Sequence, residues 1–303
     1  MRGLTLDGVK VCDSWLTQGS FRAAYCDFLL PVMPGNKAKM LAEFKRVGTH
    51  GKYSGLRLSG ISDLTFLQEF PNLLYLEVVD QKKINVRPLS CLQNLRGLRL
   101  ETPATGIDFG WFPDLEVFVG DWHADNCNLH LSRELRQLRV WHYKPRSADL
   151  SALSRMTRLE KLHLTQTNIS TLAGTESLRD LRYFEIAYAP KLQWLDALAT
   201  GESGIRELSL QNAKQIAGYI PIAAIPYLRR LKISSCAEMP DLKWTRGMQY
   251  LDSISFVETI VADGDLSPLL DLPLLEYVGT MDKKRYNYKM NAINELLAER
   301  RRL

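Results

Sequence analysis

The sequence predicts an α/β repeat solenoid, in which short parallel strands alternate with 3₁₀ or irregular returns. Three observations carry this expectation. The pattern apolar-x-x-apolar-x-apolar recurs eleven times at steps of 20 to 24 residues, and self-similarity at such a period marks stacked supersecondary units. The copies are preceded by apolar residues spaced three apart, as in Leu64, Leu67, Phe70 and Leu73, which suits a 3₁₀ turn because its side chains eclipse at i and i+3. The composition is that of a folded chain: 46% of the 303 residues are hydrophobic and 24% charged, which excludes long disorder and collagen-like structure.

Residues 1–52 fall outside the repeat and are expected to form an N-terminal cap. They hold two short alternating stretches, Leu4-Thr5-Leu6 and Val9-Lys10-Val11, then an irregular aromatic-rich region. Pro31 and Pro34-Gly35-Asn36 follow as breakers. A helix is predicted over 37–47, where Met40, Leu41, Phe44 and Val47 share one face. The repeat body, residues 53–281, opens its motifs at Tyr53, Leu73, Leu95, Leu115, Leu135, Leu159, Leu181, Ile205, Leu228, Leu251 and Leu275. In each, the last two apolar residues point inward from a short strand of period two. The fourth copy is degenerate, with Gly120 in its final apolar position, and the eleventh is weak. Residues 282–303 are expected to close the stack with a basic helix whose apolar stripe is Met290, Ile293, Leu296 and Leu297. That segment holds seven basic and three acidic residues of a chain with net charge +5, so the other 281 residues are almost neutral. Cations in the last helical turn complement the helix dipole.

This register resembles the leucine-rich repeat family, specifically its short class of about 22 residues seen in bacterial internalins and in a regulatory subunit of type-1 phosphatase. The resemblance implies a right-handed horseshoe with a concave parallel sheet. In the family, the position three after the last strand apolar residue is usually Asn or Cys. Here it is Ile61, Gln81, Pro103, His123, Tyr143, Thr167, Ala189, Ala213, Cys236, Thr259 and Lys283. Cys236, Thr167 and Thr259 are expected to bond the turn backbone; the rest of the ladder is missing.

Signals for chemistry are weak. No phosphate loop, Gly-x-Ser-x-Gly elbow or His-Glu-x-x-His helix occurs, so no catalysis and no cofactor are expected. Asp121, His123, Asp125, Cys127 and His130 supply metal-type donors, but their spacing matches no closed zinc site and no metal is assigned. Asp263-Gly264-Asp265 reads as a turn rather than a calcium loop. Cys91 reads as structural, and five scattered cysteines without a Cys-x-x-Cys pair suit a reducing compartment. The longest apolar runs fall far short of the ~20 residues that span a bilayer, and the first twenty residues lack a signal-peptide core. A cytoplasmic chain is the resulting expectation.

The outward strand positions carry the functional expectation. Between the last two strand apolar residues stand, among others, Arg57, Glu77, Arg99, Arg139, His163 and Glu185, a row of alternating sign. A polyanion track needs clustered cations, so nucleic acid is not the expected partner. Repeats four to seven are rich in Trp, Tyr and Arg, the side chains that dominate protein-interface hot spots. The expected partner-binding residues are Tyr75, Arg99, Trp122, Arg139, Trp141, Lys161, His163, Tyr183, Glu185 and Tyr188. The chain is therefore expected to be a non-enzymatic protein-interaction module, monomeric when free, with a folded protein as partner. An intracellular inhibitor, such as an immunity protein for a toxin, is one form this could take. An adaptor or regulatory scaffold, or a secreted host-directed effector, are the alternatives.

Overall fold

The computed structural model describes residues 4–6, 9–11, 29–47, 54–200 and 202–301. Tyr53, Cys12, Cys26, Arg302 and the aromatic-rich stretch before Phe28 lie outside them. The chain divides into two compact units, residues 1–140 and 141–303.

In the first unit, strands β1 (Leu4–Leu6) and β2 (Val9–Val11) pair antiparallel. A parallel ladder then begins with β3 (Leu29–Val32), β4 (Gly55–Ser59), β5 (Tyr75–Val79), β6 (Gly97–Glu101) and β7 (Val117–Asp121), each in register with the next. Helix α1 (Lys37–Val47) has the bounds its periodicity predicts, and its buried Phe44 meets the Phe70 ring at 5.7 Å. The ladder starts one strand earlier than residue 53. Leu30 and Val32 align with Leu56 and Leu58 as a full rung. Pro31, expected to break structure, sits inside that strand, which is possible because a proline is tolerated where a strand is at the edge of its sheet. Strand β8 (Gln137–Trp141) lies at the division between the units.

The second unit continues the pattern with β9 (Lys161–Thr165), β10 (Tyr183–Ala187), β11 (Glu207–Gln211), β12 (Arg230–Ser234), β13 (Ser253–Ser255) and β14 (Tyr277–Gly279), again parallel and in register. Helix α2 (Met290–Arg300) follows. Both units therefore show the same repeating unit, and the fold is a leucine-rich-repeat solenoid.

The core follows from the motif. Leu56, Leu58, Leu76, Val78, Leu98, Leu162, Leu164, Phe184 and Ile186 are all buried, each worth ~1.5–3 kcal/mol when taken fully from water. The three-residue spacing makes the tight return expected of it. Leu67 N donates to Leu64 O at 3.0 Å, Phe70 N to Leu67 O at 2.9 Å and Leu73 N to Phe70 O at 3.1 Å. The degenerate fourth repeat is a local exchange of volume. Phe118 fills the rung, packing edge-on against Phe109 at 5.1 Å, and a methyl group on Gly120 would lie 2.8 Å from Leu100 O.

Two devices hold the turns. The three polar residues expected at the ladder position do bond backbone. Thr167 Oγ1 donates to Tyr143 O at 2.7 Å, Cys236 Sγ to Leu210 O at 3.3 Å, and Cys236 N donates to Thr259 Oγ1 at 3.0 Å. The second device was not anticipated. Just before the first apolar residue of a return, Asp63, Asn85, Asp108, Asp149, Thr171, Asp241 and Asp265 each accept a backbone N–H from two residues on, at 2.8–3.2 Å. These caps satisfy donors at the start of each turn that the turn itself leaves unpaired.

Candidate functional site

Within the first unit, the outward row is an ion-pair chain. Glu77 is fully buried, with Arg57 Nε and Arg99 Nη1 each 3.4 Å from its Oε1, and Arg99 also pairs with Glu101. Adjacent strands in register put these residues side by side. Tyr75, expected to face a partner, is instead buried. Its ring lies across Gly97, where a methyl group would come within 2.7 Å of Cδ1, so it fills the space two glycines leave beside it. Trp122 also turns back, stacking on the core ring Phe109 at 6.0 Å and 19°. Arg139 stands half-buried on β8.

Within the second unit, parallel pairing sets Lys161 beside Tyr183 and His163 beside Glu185. The Lys161 ammonium lies 5.0 Å from the Tyr183 ring centre, and both Lys161 and Glu185 are buried rather than exposed. Glu185 is held by Gln211, whose Nε2 donates to Oε1 at 2.7 Å and to Ser209 Oγ at 3.1 Å. His163 Nε2 is 3.7 Å from Glu185 Oε1 and 3.1 Å from Thr165 Oγ1. Both groups approach the same ring nitrogen, whereas a catalytic triad places nucleophile and acid on opposite nitrogens. Trp141 and Tyr183 are half-buried, each combining an accessible ring with a fixed position on its strand. In the second unit the outward face thus sets polar groups locked by neighbours beside two half-buried aromatic rings, which suits non-covalent recognition.

Tyr188 is 56% exposed and lies off the strand, in a column of left-handed residues that sequence reading missed. His142, Gln166, Tyr188, Asn212, Ser235 and Glu258 all have φ between 51° and 59°. Five of them donate their N–H to the next repeat at 2.8–3.0 Å, Gln166 to Ala187 O and Tyr188 to Gln211 O among them. The column marks where the chain leaves the sheet. Tyr143, one residue beyond His142, is buried, and burial raises its hydroxyl pKa well above the usual tyrosine value.

The polar cluster around the fourth repeat does not converge. His123 Nδ1 accepts from Asp125 N at 3.2 Å, and Asp108 takes the side-chain amide of Asn128 at 2.9 Å. Burial and the nearby Asp108 push the Cys127 thiol upward, away from the thiolate a metal would bind. Among the described residues no three His, Cys, Asp or Glu side chains gather as a metal site requires. Asp263-Gly264-Asp265 is a turn, with Gly264 at φ 72° and Asn287 bonded to Asp265. Burial also raises Cys91, in keeping with a structural thiol.

Comparison with known proteins agrees on the fold. No family model matches the sequence, and no curated protein matches it. Among solved structures, the chain is similar to the internalin InlF of Listeria monocytogenes (TM-score 0.57, 16% identity, 76% of this chain and 74% of that one). It is also similar to InlJ of the same organism, whose functional domain includes a cysteine ladder (TM-score 0.53, 15% identity, 79% and 50%). A leucine-rich-repeat protein of Leptospira interrogans matches at TM-score 0.52 and 16% identity, over 75% and 64%. The chain has the leucine-rich-repeat fold. Among the described residues no helix is long and apolar enough to cross a membrane.

Proposed function

We propose that the outward strand face is a protein-binding surface and that the chain acts by binding rather than by catalysis. The supporting observation is the second unit's arrangement of accessible rings, Trp141 and Tyr183, beside the fixed polar set of Lys161, His163, Glu185 and Gln211. Preorganised polar groups lose little entropy on binding, and Trp, Tyr and Arg are the usual anchors. The finer reading is a cytoplasmic inhibitor whose partner is a folded protein, with an immunity protein against a toxin as the specific form. A face of mixed sign favours a protein over a nucleic acid.

The test begins with Trp141→Ala and Tyr183→Ala. Both are expected to melt near the parent chain. Trp141→Ala is expected to weaken binding to a partner captured from the source organism by about thirtyfold, ~2 kcal/mol, and Tyr183→Ala by less. If Trp141 served the core instead, its loss would cost ~3–5 kcal/mol of stability. A large fall in melting temperature with unchanged affinity would overturn this assignment.

A further inference from the structure

The flank on which the strands of the second unit begin carries a pattern independent of the outward face. Immediately before β11 to β14, Arg206, Arg229, Asp252 and Glu276 form one continuous column. Arg229 N donates to Arg206 O, Asp252 N to Arg229 O and Glu276 N to Asp252 O, each at 2.8 Å. Over these four repeats the column reads plus, plus, minus, minus, with Arg182 on the rung before them, its carbonyl accepting from Arg206 N at 2.8 Å. Two residues earlier in the same four repeats stand Gly204, Tyr227, Tyr250 and Leu274. Tyr227, Tyr250 and Leu274 are 46%, 49% and 50% exposed, an unusual run of large apolar side chains on consecutive repeats. They are ordered on the surface: the two tyrosine rings meet at 5.4 Å, and the Arg206 guanidinium lies 4.6 Å from the Tyr227 ring centre.

The charges are only partly used within the chain. Arg229 pairs with Asp252 at 3.2 Å, and Glu276 with Arg301 at 3.4 Å, all at solvent-accessible positions. Arg206 has no carboxylate at ion-pair distance among the described residues. A partner fitting this flank must offer minus, minus, plus, plus alongside apolar groups, which is this same flank read in the opposite direction. A two-fold axis between the Arg229 and Asp252 repeats would set Arg206 against Glu276 of a second copy and Arg229 against Asp252. It would also set Tyr227 against Tyr250. The charge order is self-complementary about one axis, as an isologous interface requires.

We infer that this flank is a homodimer interface in which two copies associate about a two-fold axis through Arg206, Tyr227, Arg229, Tyr250, Asp252 and Glu276. The free chain, expected from its sequence to be monomeric, would then be a dimer. The dimer leaves the outward strand face open, so each copy presents it independently.

The test uses the full chain and sedimentation velocity over about 1 to 100 µM, the range in which a modest interface fills. The parent chain is expected to pass from monomer to dimer mass. Arg206→Glu and Glu276→Arg, each alone, face like charge across the axis and are expected to raise the dissociation midpoint at least tenfold. Mixing the two single variants is expected to restore a dimer, now mixed, because every reversed charge then meets its opposite. Within one chain these residues are three strand spacings apart, roughly 14 Å, so the rescue can come only from contact between copies. Tyr250→Glu is expected to abolish the dimer in every combination. Thermal melts confirm that each variant is folded. A parent chain that stays monomeric, single reversals that leave the dimer unchanged, or a mixture that fails to associate would each overturn the proposal.

Discussion

Tyr188 shows most directly how one residue can carry both a cost and a use. An L-residue in the left-handed region costs roughly 1–2 kcal/mol relative to an ordinary conformation, less for Asn. Tyr188 stands at φ 54° with its ring more than half exposed, so local packing returns little of that cost. Its N–H bond to Gln211 O holds the backbone there whichever side chain is present. Tyr188→Asn is therefore expected to raise stability by up to ~1 kcal/mol, while Tyr188→Ala leaves it near the parent value. Chemical denaturation of the two variants checks this, and an Asn variant no more stable than the Ala variant would show that the strain is relieved elsewhere. If Tyr188 also belongs to the binding face, the stabilised variant should bind more weakly.

At the scale of elements, helix α2 closes the sheet by imitation of a strand. Asn294 Nδ2 donates to Val278 O at 2.8 Å and Asn294 Oδ1 accepts from Val278 N at 2.9 Å, so a side-chain amide completes the edge of β14. Arg300 donates to Leu270 O and Leu275 O, each at 2.9 Å, and Ile293 and Leu297 are buried beneath. Leu296, expected in the same stripe, is exposed. Asn294→Ala leaves the buried Val278 N–H without its partner, which typically costs ~1–3 kcal/mol. Hydrogen exchange is expected to accelerate at Val278 more than at Ile254 one strand inward; equal protection would mean the helix holds by its apolar contacts alone. Much of this architecture was legible in the sequence, because strand and return each bury a strictly periodic set of side chains. The caps at Asp149 or Asp241 were legible too, as a polar residue just before a triplet of apolar positions. The site was less so. The burial of Tyr75 depends on Gly97, 22 residues away, and that of Glu185 on Gln211, 26 residues away; the register places such pairs side by side without saying which ring or chain folds over.

For the molecule as a whole, the capping carboxylates Asp63 and Asp265 bear on the response to acid. Asp63 is held below the ordinary carboxylate value by the Thr65 amide and hydroxyl, and Asp265 by the Ser267 hydroxyl and amide. A carboxyl whose folded value is lowered contributes stability above its ordinary value, near 3.8, and loses it as pH falls through the folded value. The melting temperature is thus expected to hold down to about pH 4 and to fall below it. Asp63→Asn with Asp265→Asn keeps an acceptor but cannot titrate, so the fall should be shallower; an unchanged slope would assign the acid sensitivity to other groups. The closed edge of β14 bears on descent rather than stability. A rung added beside β14 would have to displace the Asn294 amide, and one added beside β3 would meet a strand in which Pro31 offers no N–H. A repeat inserted in the interior meets neither obstacle, only the need to match the side chains of the two rungs it separates.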